Sequence, residues 1–175
     1  MSRGGLRALE AGDAEAVLRA FASDAAMARQ GTVRDLGEAR AYVGRLLASG
    51  SGCRPWAVVD DELVGLVAVN VDHENRSGWF WYWMNASYRG RGWTSAAAVA
   101  VANWALGEGG LERLELGHRV NNPASARVAL AAGFVHEGTE RAKFLVDGQR
   151  IDVLTYGRLR TDPWPRDGLF RVPVS

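Results

Sequence analysis

The segment that most constrains the fold is residues 78–106, in which an aromatic strand, a glycine-rich turn and an apolar helix follow one another. Its first part reads GWFWYWM, so three tryptophans alternate with Phe80, Tyr82 and Met84. Successive side chains of a strand point to opposite faces of a sheet, and here both sets are apolar. We therefore predict a central strand covered on both sides. The last part, WTSAAAVAVANWAL, predicts a helix that packs closely against that sheet.

The residues before this segment predict helices and antiparallel strands. LRAL at residues 6–9 favours a short first strand, and two helices with a 3.6-residue apolar period follow it. Asp13 and Asp35 stand at the predicted N-caps of these helices. PWAVVDDELVGLVAVN then predicts two antiparallel strands joined by a tight turn at its Asp-Asp pair.

The residues after the apolar helix predict one parallel junction and a hairpin. LERLELGH, residues 111–118, predicts a strand parallel to the aromatic one, reached by a right-handed crossover. NNPASARVALAAGF predicts a short helix with Asn122 as its cap. The final hairpin turns at Asp147 and Gly148. We expect a mixed α/β sheet, antiparallel at first and parallel at one junction.

Composition limits the classes of function. Lys and Arg number 21 against 20 Asp and Glu, and this balance gives no argument for nucleic acid or an anionic membrane as a partner. The single Cys53 excludes an internal disulfide, and the three histidines are scattered over different predicted elements, so no metal site is expected. No apolar run approaches the roughly 20 residues that span a bilayer, and no signal-peptide pattern is present. We expect a cytoplasmic protein.

The turn RGRG at residues 89–92 suggests an anion site. Glycines let backbone N–H groups approach phosphate oxygens, and a helix N-terminus adds positive potential. A dinucleotide-binding fold would need a third glycine where this chain has Ser95, and the Gly-Lys-Ser/Thr triplet of a phosphate-binding loop does not occur. The remaining alternative is a tight turn with solvated arginines that binds nothing.

Several motifs, in order, resemble the GNAT acyltransferase superfamily, closest to its RimJ/RimL-like branch. RGRGWT at residues 89–94 is similar to the family's coenzyme loop, Arg/Gln-x-x-Gly-x-Gly/Ala, with Thr94 in place of the last small residue. NPAS at residues 122–125, a later Gly-Phe pair and the hairpin ending DVLTY are also similar to that branch. The resemblance covers about residues 6–159. It implies a mixed, mostly antiparallel, splayed central sheet flanked by helices, with a final β-hairpin.

The resemblance implies acetyl-CoA as the co-substrate. Its pyrophosphate would contact the backbone N–H groups of the loop, and its pantetheine arm would lie between the strands that end at Met84 and His118. The amide of Asn122 is the implied partner of the pantetheine, with helix capping as an alternative or additional role. A backbone N–H at Met84 or Asn85 is the implied oxyanion donor. The implied coenzyme-binding residues are Met84, Asn85, Arg89, Gly90, Arg91, Gly92, Trp93, Thr94, Asn122 and Ser125.

Acyl transfer to an amine also needs a hydrogen bond or a proton for the leaving thiolate. Many family members use a tyrosine, but Ala129 occupies its position in this chain. RimL-like relatives place the serine of Asn-x-x-Ser near the sulfur, so the resemblance implies Ser125 as a catalytic residue. A first-turn hydroxyl that only satisfies a helix N–H is the alternative.

The base that deprotonates the amine is the least defined part of the site. The positions of the family's glutamates carry Gly117 and the Lys143–Phe144 pair. His118, with an unperturbed pKa of ~6.5, is the catalytic candidate among the remaining side chains. A surface or substrate-binding histidine, or a water relay with no dedicated base, are the alternatives.

The implied function is an acetyl-CoA-dependent N-acetyltransferase that acts by direct attack in a ternary complex. The acceptor is a primary amine, of a protein N-terminus or of a small molecule, whose identity stays open. A catalytically silent acyl-CoA-binding or sensor module is the alternative, and a homodimer is a possible assembly. We expect the GNAT-like domain to cover residues 1–160, followed by an irregular C-terminal tail at 161–175.

Overall fold

The computed structural model describes residues 4–166 and 168–173, so a few residues of both predicted segments, 1–160 and 161–175, lie outside the described residues. The strands are β1 (Gly5–Ala8), β2 (Cys53–Asp60), β3 (Glu62–Asp72), β4 (Ser77–Met84), β5 (Arg113–Arg119), β6 (Val135–Val146) and β7 (Gln149–Leu159). The helices are α1 (Ala14–Ala22), α2 (Leu36–Leu47), α3 (Trp93–Leu106) and α4 (Pro123–Ala131).

The strands form one sheet in the order β1-β2-β3-β4-β5-β7-β6. Every neighbouring pair is antiparallel except β4 and β5, which are parallel. The predicted mixed fold is therefore confirmed, with its mostly antiparallel sheet, its single parallel junction and its final hairpin. This parallel pair joins only Ser77–Trp79 to Arg113–Glu115, and the two strands separate beyond it.

The helices cover the two faces of the sheet with two apolar clusters. On one face, α3 and α4 pack against Phe80 and Met84 of β4. On the other face, α1 and α2 pack against Trp83, whose indole N–H donates to the Tyr42 hydroxyl at 3.1 Å. The sheet thus separates the molecule into an α3/α4 side and an α1/α2 side.

The aromatic strand β4 is central but only partly covered. Phe80 and Trp83 are 1% and 4% exposed, whereas Trp79 on the α1/α2 side is 44% exposed. The expectation that both faces of this strand are covered along its length is therefore wrong at Trp79. The aromatic ring of Phe21 in α1 packs edge-on against Trp83, so the two helices cover the C-terminal end of β4 and leave its beginning open.

The most apolar helix is α3, which packs closely against the sheet as predicted. Its buried residues from Ala97 to Ala102 pack against the sheet with little side-chain bulk. No helix in the described ranges is both long and apolar enough to cross a bilayer.

Of the two predicted aspartate N-caps, one forms and the other does not. Asp35 caps α2, since its carboxylate accepts the N–H of Glu38 at 2.8 Å. Asp13 lies at the N-cap position of α1 but makes no side-chain cap bond to that helix, so this prediction is wrong. The Asp13 carboxylate binds the Arg7 guanidinium at 2.6 and 2.8 Å and accepts the N–H of Glu10, which closes the short turn before α1.

The described part of the tail packs against α3. Phe170 is 2% exposed, and its ring centroid lies 6.0 Å from that of Trp93. The amide of Asn103 donates to the Pro165 carbonyl at 3.0 Å. The tail therefore contributes to the α3/α4-side cluster, while the division of the chain at residue 160 stays a prediction.

Candidate active site

The separation of β4 and β5 opens a gap in the sheet. A cavity of about 590 Å³ fills this gap, lined by the end of β4, the turn before α3 and the first turns of α3 and α4. Its lining includes Met27, which belongs to the α1/α2-side cluster, and Val128, which belongs to the α3/α4-side cluster. The cavity therefore reaches both faces of the sheet.

The end of β4 directs the backbone N–H of Met84 toward this gap. The N–H of Asn85 donates to the Val64 carbonyl of β3 at 2.8 Å, so Asn85 belongs to a hydrogen-bonded pair of the antiparallel ladder. Successive residues direct their backbone groups to opposite edges of a strand. The N–H of Met84 therefore points away from β3 and toward the gap, where Met84 also lines the cavity.

The turn before α3 has the geometry of an anion site. Gly90 and Gly92 adopt φ values of 78° and 77°, and a Cβ at either position would meet nothing within 4 Å. Gly92 is the N-cap residue of α3, so the N-cap position has no side chain to cap this end of the helix. The first N–H groups of α3 and the positive end of its dipole therefore face open space, which suits an anion.

The two arginines of the turn have different surroundings. Arg89 lines the cavity, forms an ion pair with Asp24, and donates from Nε to the Met84 carbonyl at 3.2 Å. The hydrogen bond from Arg89 lowers the pKa of the Asp24 carboxyl. Arg91 lies outside the cavity lining, with its guanidinium 4.5 Å from the Tyr88 ring centroid. Only Arg89 is thus brought to the cavity.

The beginning of α4 forms the opposite wall. Asn122 caps this helix, because its Oδ1 accepts the Ser125 N–H at 3.2 Å. Its Nδ2 donates to the Ser125 Oγ at 3.1 Å. The Ser125 hydroxyl is therefore an acceptor within α4, and its own proton is left for a partner in the cavity, which Asn122 and Ser125 both line.

Tyr82 is a cavity residue that sequence reasoning treated as core. Its hydroxyl donates to the Ser125 carbonyl oxygen at 3.0 Å, and burial raises the pKa of Tyr82 to about 12. The alternation along β4 places Tyr82 on the α3/α4 side, but the sequence carries no sign that a gap opens beside it. The separation of β4 and β5 is what exposes its ring to the cavity.

His118 lies beneath the surface, away from the cavity lining. It is 8% exposed, its Nδ1 lies 2.9 Å from the Arg119 carbonyl oxygen and its Nε2 lies 3.2 Å from the Tyr156 hydroxyl. A carbonyl oxygen only accepts, so Nδ1 carries the proton and Nε2 accepts from Tyr156. The interpretation of His118 as a surface histidine is wrong, and its assignment as the base stays a prediction.

Most of the implied coenzyme-binding residues come together, and a few do not. The implied residues that line the cavity are Met84, Arg89, Gly90, Gly92, Trp93, Thr94, Asn122 and Ser125. The backbone of Asn85, the side chain of Arg91 and the ring of His118 lie outside the lining. The lining also includes residues that sequence reasoning did not assign to the site, among them Met27, Arg29, Gln30, Tyr82, Tyr88, Ser95, Asn121 and Arg127.

Comparison with known proteins identifies the family. The family described as the acetyltransferase (GNAT) domain matches residues 3–135. This chain belongs to the GNAT family. The resemblance to the GNAT superfamily that the sequence motifs indicated is thereby confirmed.

One curated relative of this GNAT domain is the ribosomal-protein-serine acetyltransferase of Escherichia coli strain K12. It is 36% identical over 102 residues, which cover 57% of this chain and 56% of that protein. The match therefore spans little more than half the length of that relative.

Two solved structures share the GNAT fold over most of this chain. RimL, a ribosomal L7/L12 alpha-N-protein acetyltransferase in complex with coenzyme A, has a TM-score of 0.78 at 24% identity, over 88% of this chain and 92% of its own. A chimera of the spermidine N-acetyltransferase SpeG from Vibrio cholerae with hSSAT has a TM-score of 0.77 at 22% identity, over 91% and 97%. At these identities the likeness shows the fold alone.

Metal-binding side chains do not cluster in the part of this GNAT domain that the structure describes. No three His, Cys, Asp or Glu side chains come close enough there to hold an ion. The expectation that the site uses no metal stays a prediction.

Proposed function

We propose that this GNAT domain transfers an acetyl group from acetyl-CoA to a primary amine, by direct attack of the amine in a ternary complex. The observation that carries the proposal is the cavity in the gap between β4 and β5, which reaches both faces of the sheet. One face can then admit the coenzyme and the other the amine, so that the two reactants meet at the end of β4. Bringing two reactants together in this way removes much of the entropic barrier.

The residues at the gap fit an acyl-CoA. The open backbone at Gly90 and Gly92 leaves room for phosphate oxygens beside the first turn of α3, including the N–H groups of Trp93 and Thr94. Asn122 lines the same cavity with a side-chain amide that suits the amides of a pantetheine arm. When bound, acetyl-CoA supplies the thioester whose acetyl group is transferred.

The Met84 N–H is the proposed oxyanion donor. In the antiparallel ladder the N–H of Asn85 donates to the Val64 carbonyl, so the N–H of Met84 points into the gap. A fixed backbone donor stabilises the charge that develops on the acyl oxygen, because it needs no reorganisation during the reaction. Of the two donors that the family resemblance implies, we therefore propose the N–H of Met84.

Ser125 is the proposed partner of the leaving sulfur. The amide of Asn122 donates to its Oγ, so the Ser125 hydroxyl can donate in turn to a sulfur that gains negative charge. Tyr82 holds the first turn of α4 through the Ser125 carbonyl. Its pKa of about 12 keeps the phenol protonated and this hydrogen bond intact at neutral pH.

Deprotonation of the amine does not require a carboxylate in this arrangement. The described residues that line the cavity include Arg29, Arg89 and Arg127 but no Asp or Glu. A positive surrounding disfavours a bound ammonium and therefore favours the neutral, nucleophilic amine. This environment agrees with transfer of the proton to water, without a dedicated base. His118 stays a candidate base from the sequence, although it lies outside the cavity lining.

The alternative is a catalytically silent acyl-CoA-binding or sensor module. The cavity without carboxylates is the observation that favours it, because the family's glutamate base has no counterpart among the described lining residues. A cytoplasmic location and a homodimer remain predictions for either function.

Release of coenzyme A thiol from acetyl-CoA, measured with a panel of peptide and small-molecule amines, tests the proposal. We expect thiol to appear only when the protein, acetyl-CoA and an amine are all present, and mass spectrometry to find the acetylated amine. Binding of acetyl-CoA without thiol release for any amine would instead establish the silent module.

A further inference from the structure

Two arginines lie on the α1/α2 side, Arg29 in the lining of the cavity and Arg119 two residues before the lining residue Asn121. Arg29 lies in the turn after α1 and lines the cavity. Arg119 is the last residue of β5, directly before the residues that lead to Asn122. Neither arginine takes part in any of the ion pairs of the described residues.

The side chain of Arg119 lies on the α1/α2 face of the sheet. A Cβ at Gly117 would sit 3.4 Å from the Trp79 ring, so Gly117 faces the same side as Trp79. Arg119, two residues further along the strand, shares this face. Its guanidinium lies 5.0 Å from the ring centroid of Phe144 in the final hairpin.

The two guanidinium groups are close enough to affect each other. Burial and the charge of Arg29 lower the pKa of Arg119. Arg29 interacts with the carboxylate of Asp24, but that carboxylate already forms an ion pair with Arg89. An anion bound between Arg29 and Arg119 would offset their repulsion.

We propose that the acceptor amine carries a carboxylate close to the amino group, and that Arg29 and Arg119 bind this carboxylate. The inference rests on the proposed acetyltransferase function and names the class of its acceptor. Arginine suits the role because its planar donors match a carboxylate with two parallel hydrogen bonds. A polyamine does not suit it, since no carboxylate among the described lining residues would receive a second ammonium.

The phosphates of the coenzyme do not account for this pair. The anion site formed by Gly90, Gly92 and the first turn of α3 lies on the α3/α4 side. Arg29 follows Met27, which packs into the α1/α2-side cluster, and Arg119 faces that side too. The two arginines thus lie where the second reactant would approach.

Matched acceptors test the charge preference. Two amidated tripeptides begin with serine and differ only in an aspartate or an asparagine at the second position; free serine and serinamide form a second pair. In at least one of these pairs, we expect kcat/KM for the acceptor with the carboxylate to exceed that for its neutral partner roughly tenfold or more. The acceptor with the carboxylate is the aspartate peptide in the first pair and free serine in the second. A preference confined to serine over serinamide would identify an amino acid as the source of the carboxylate, and one confined to the peptides would identify an acidic second residue.

Variants assign the preference to the two arginines. Arg29→Gln and Arg119→Gln should each bring the acidic and neutral acceptors close to equal, whereas Arg76→Gln, an exposed arginine at the opposite end of β4, should retain the preference. Equal use of acidic and neutral acceptors by the wild-type protein would overturn the inference and leave the acetyltransferase function standing. A preference that persists in both variants would overturn it as well.

Binding of the acceptors in the presence of coenzyme A, which cannot donate an acetyl group, separates this inference from the proposed function. If no amine is acetylated, calorimetry with the same acceptor pairs shows whether the carboxylate site exists. Tighter binding of the acidic member, lost in Arg29→Gln and Arg119→Gln, would support the carboxylate site while the acetyltransferase function fails. Equal binding of the two members would overturn the site.

Discussion

The hydroxyl of Tyr82 donates a hydrogen bond of 3.0 Å to the carbonyl oxygen of Ser125, and so ties β4 to the first turn of α4 across the gap in the sheet. The same turn of α4 is held from its own side by the Asn122 cap. The position of the Ser125 hydroxyl relative to the Met84 N–H thus depends on a strand and a helix that have no backbone ladder between them.

We expect Tyr82→Phe to loosen this connection. The loss of one hydrogen bond should lower the free energy of unfolding by about 0.5–1.5 kcal/mol and raise the KM for acetyl-CoA, because α4 is no longer held against β4. Since the pKa of Tyr82 is about 12, the phenol stays protonated below that pH, and the difference from wild type should not vary between pH 6 and 9. Chemical denaturation and initial rates at several pH values measure these effects.

Tyr88→Phe is the matched control for that change. Tyr88 lines the same cavity, but its ring contacts Arg91, and none of the hydrogen bonds among the described residues links it to α4. A Tyr82→Phe variant that is no less stable than Tyr88→Phe, with the same KM, would remove the proposed link.

Ser125→Ala should act on turnover more than on stability. If the hydroxyl donates to the departing sulfur, kcat falls roughly ten- to hundredfold, while the KM for acetyl-CoA changes little, since the charge develops only in the transition state. Asn122→Ala is the comparison, because it removes the helix cap and should cost about 1 kcal/mol of unfolding free energy. An unchanged kcat in Ser125→Ala would exclude this serine from catalysis.

Cys53 should be inert in the folded protein. Burial raises the pKa of its thiol to about 11, so about one thiol in a thousand is ionised at pH 8. We expect slow reaction with iodoacetamide until the protein is unfolded in urea. The folded-state pKa lies above the ordinary value of a thiol, so the contribution of Cys53 to stability is full below that ordinary value and is lost as the pH rises toward 11. Rapid labelling of folded protein at pH 8 would contradict the burial.

Local signals predicted the elements that form the site. The glycines at 90 and 92 and the alanine-rich segment after them define the beginning of α3, and Asn122 with Pro123 defines the beginning of α4. The aspartate–glycine turn defines the hairpin of β6 and β7. Each of these features depends on a few neighbouring residues, so the sequence alone was sufficient to predict it.

Features that depend on distant contacts were missed or wrong. The exposure of Trp79 depends on how much of β4 is covered by α1 and α2, and the burial of His118 depends on Tyr156 in the neighbouring strand β7. The ion pair of Arg89 with Asp24 joins the turn before α3 to the turn after α1. Neither periodicity nor a short motif reports such pairings, so the lining residues from the turn after α1, Arg29 among them, could not be found from the sequence.

The central claim is that acetyl-CoA binds at the turn before α3, and a charge placed at Gly92 tests it. Gly92→Glu should abolish binding, because its side chain would enter the open space beside the first turn of α3 and repel an anion. Gly50→Glu is the matched control: Gly50 has a φ of 81°, its Cβ would also meet nothing within 4 Å, and it lies after α2. Both variants should lose a similar stability of about 1–2 kcal/mol from the left-handed backbone.

The measurement is the thermal midpoint of the wild-type protein and these two variants, with and without acetyl-CoA at about a hundred times its dissociation constant. The account predicts a rise of about 5–10 °C for the wild-type protein and Gly50→Glu, no rise for folded Gly92→Glu, and a much smaller effect of NADP⁺ on any of them. An equal rise with acetyl-CoA in Gly92→Glu, or a rise with NADP⁺ and none with acetyl-CoA in the wild-type protein, would contradict it.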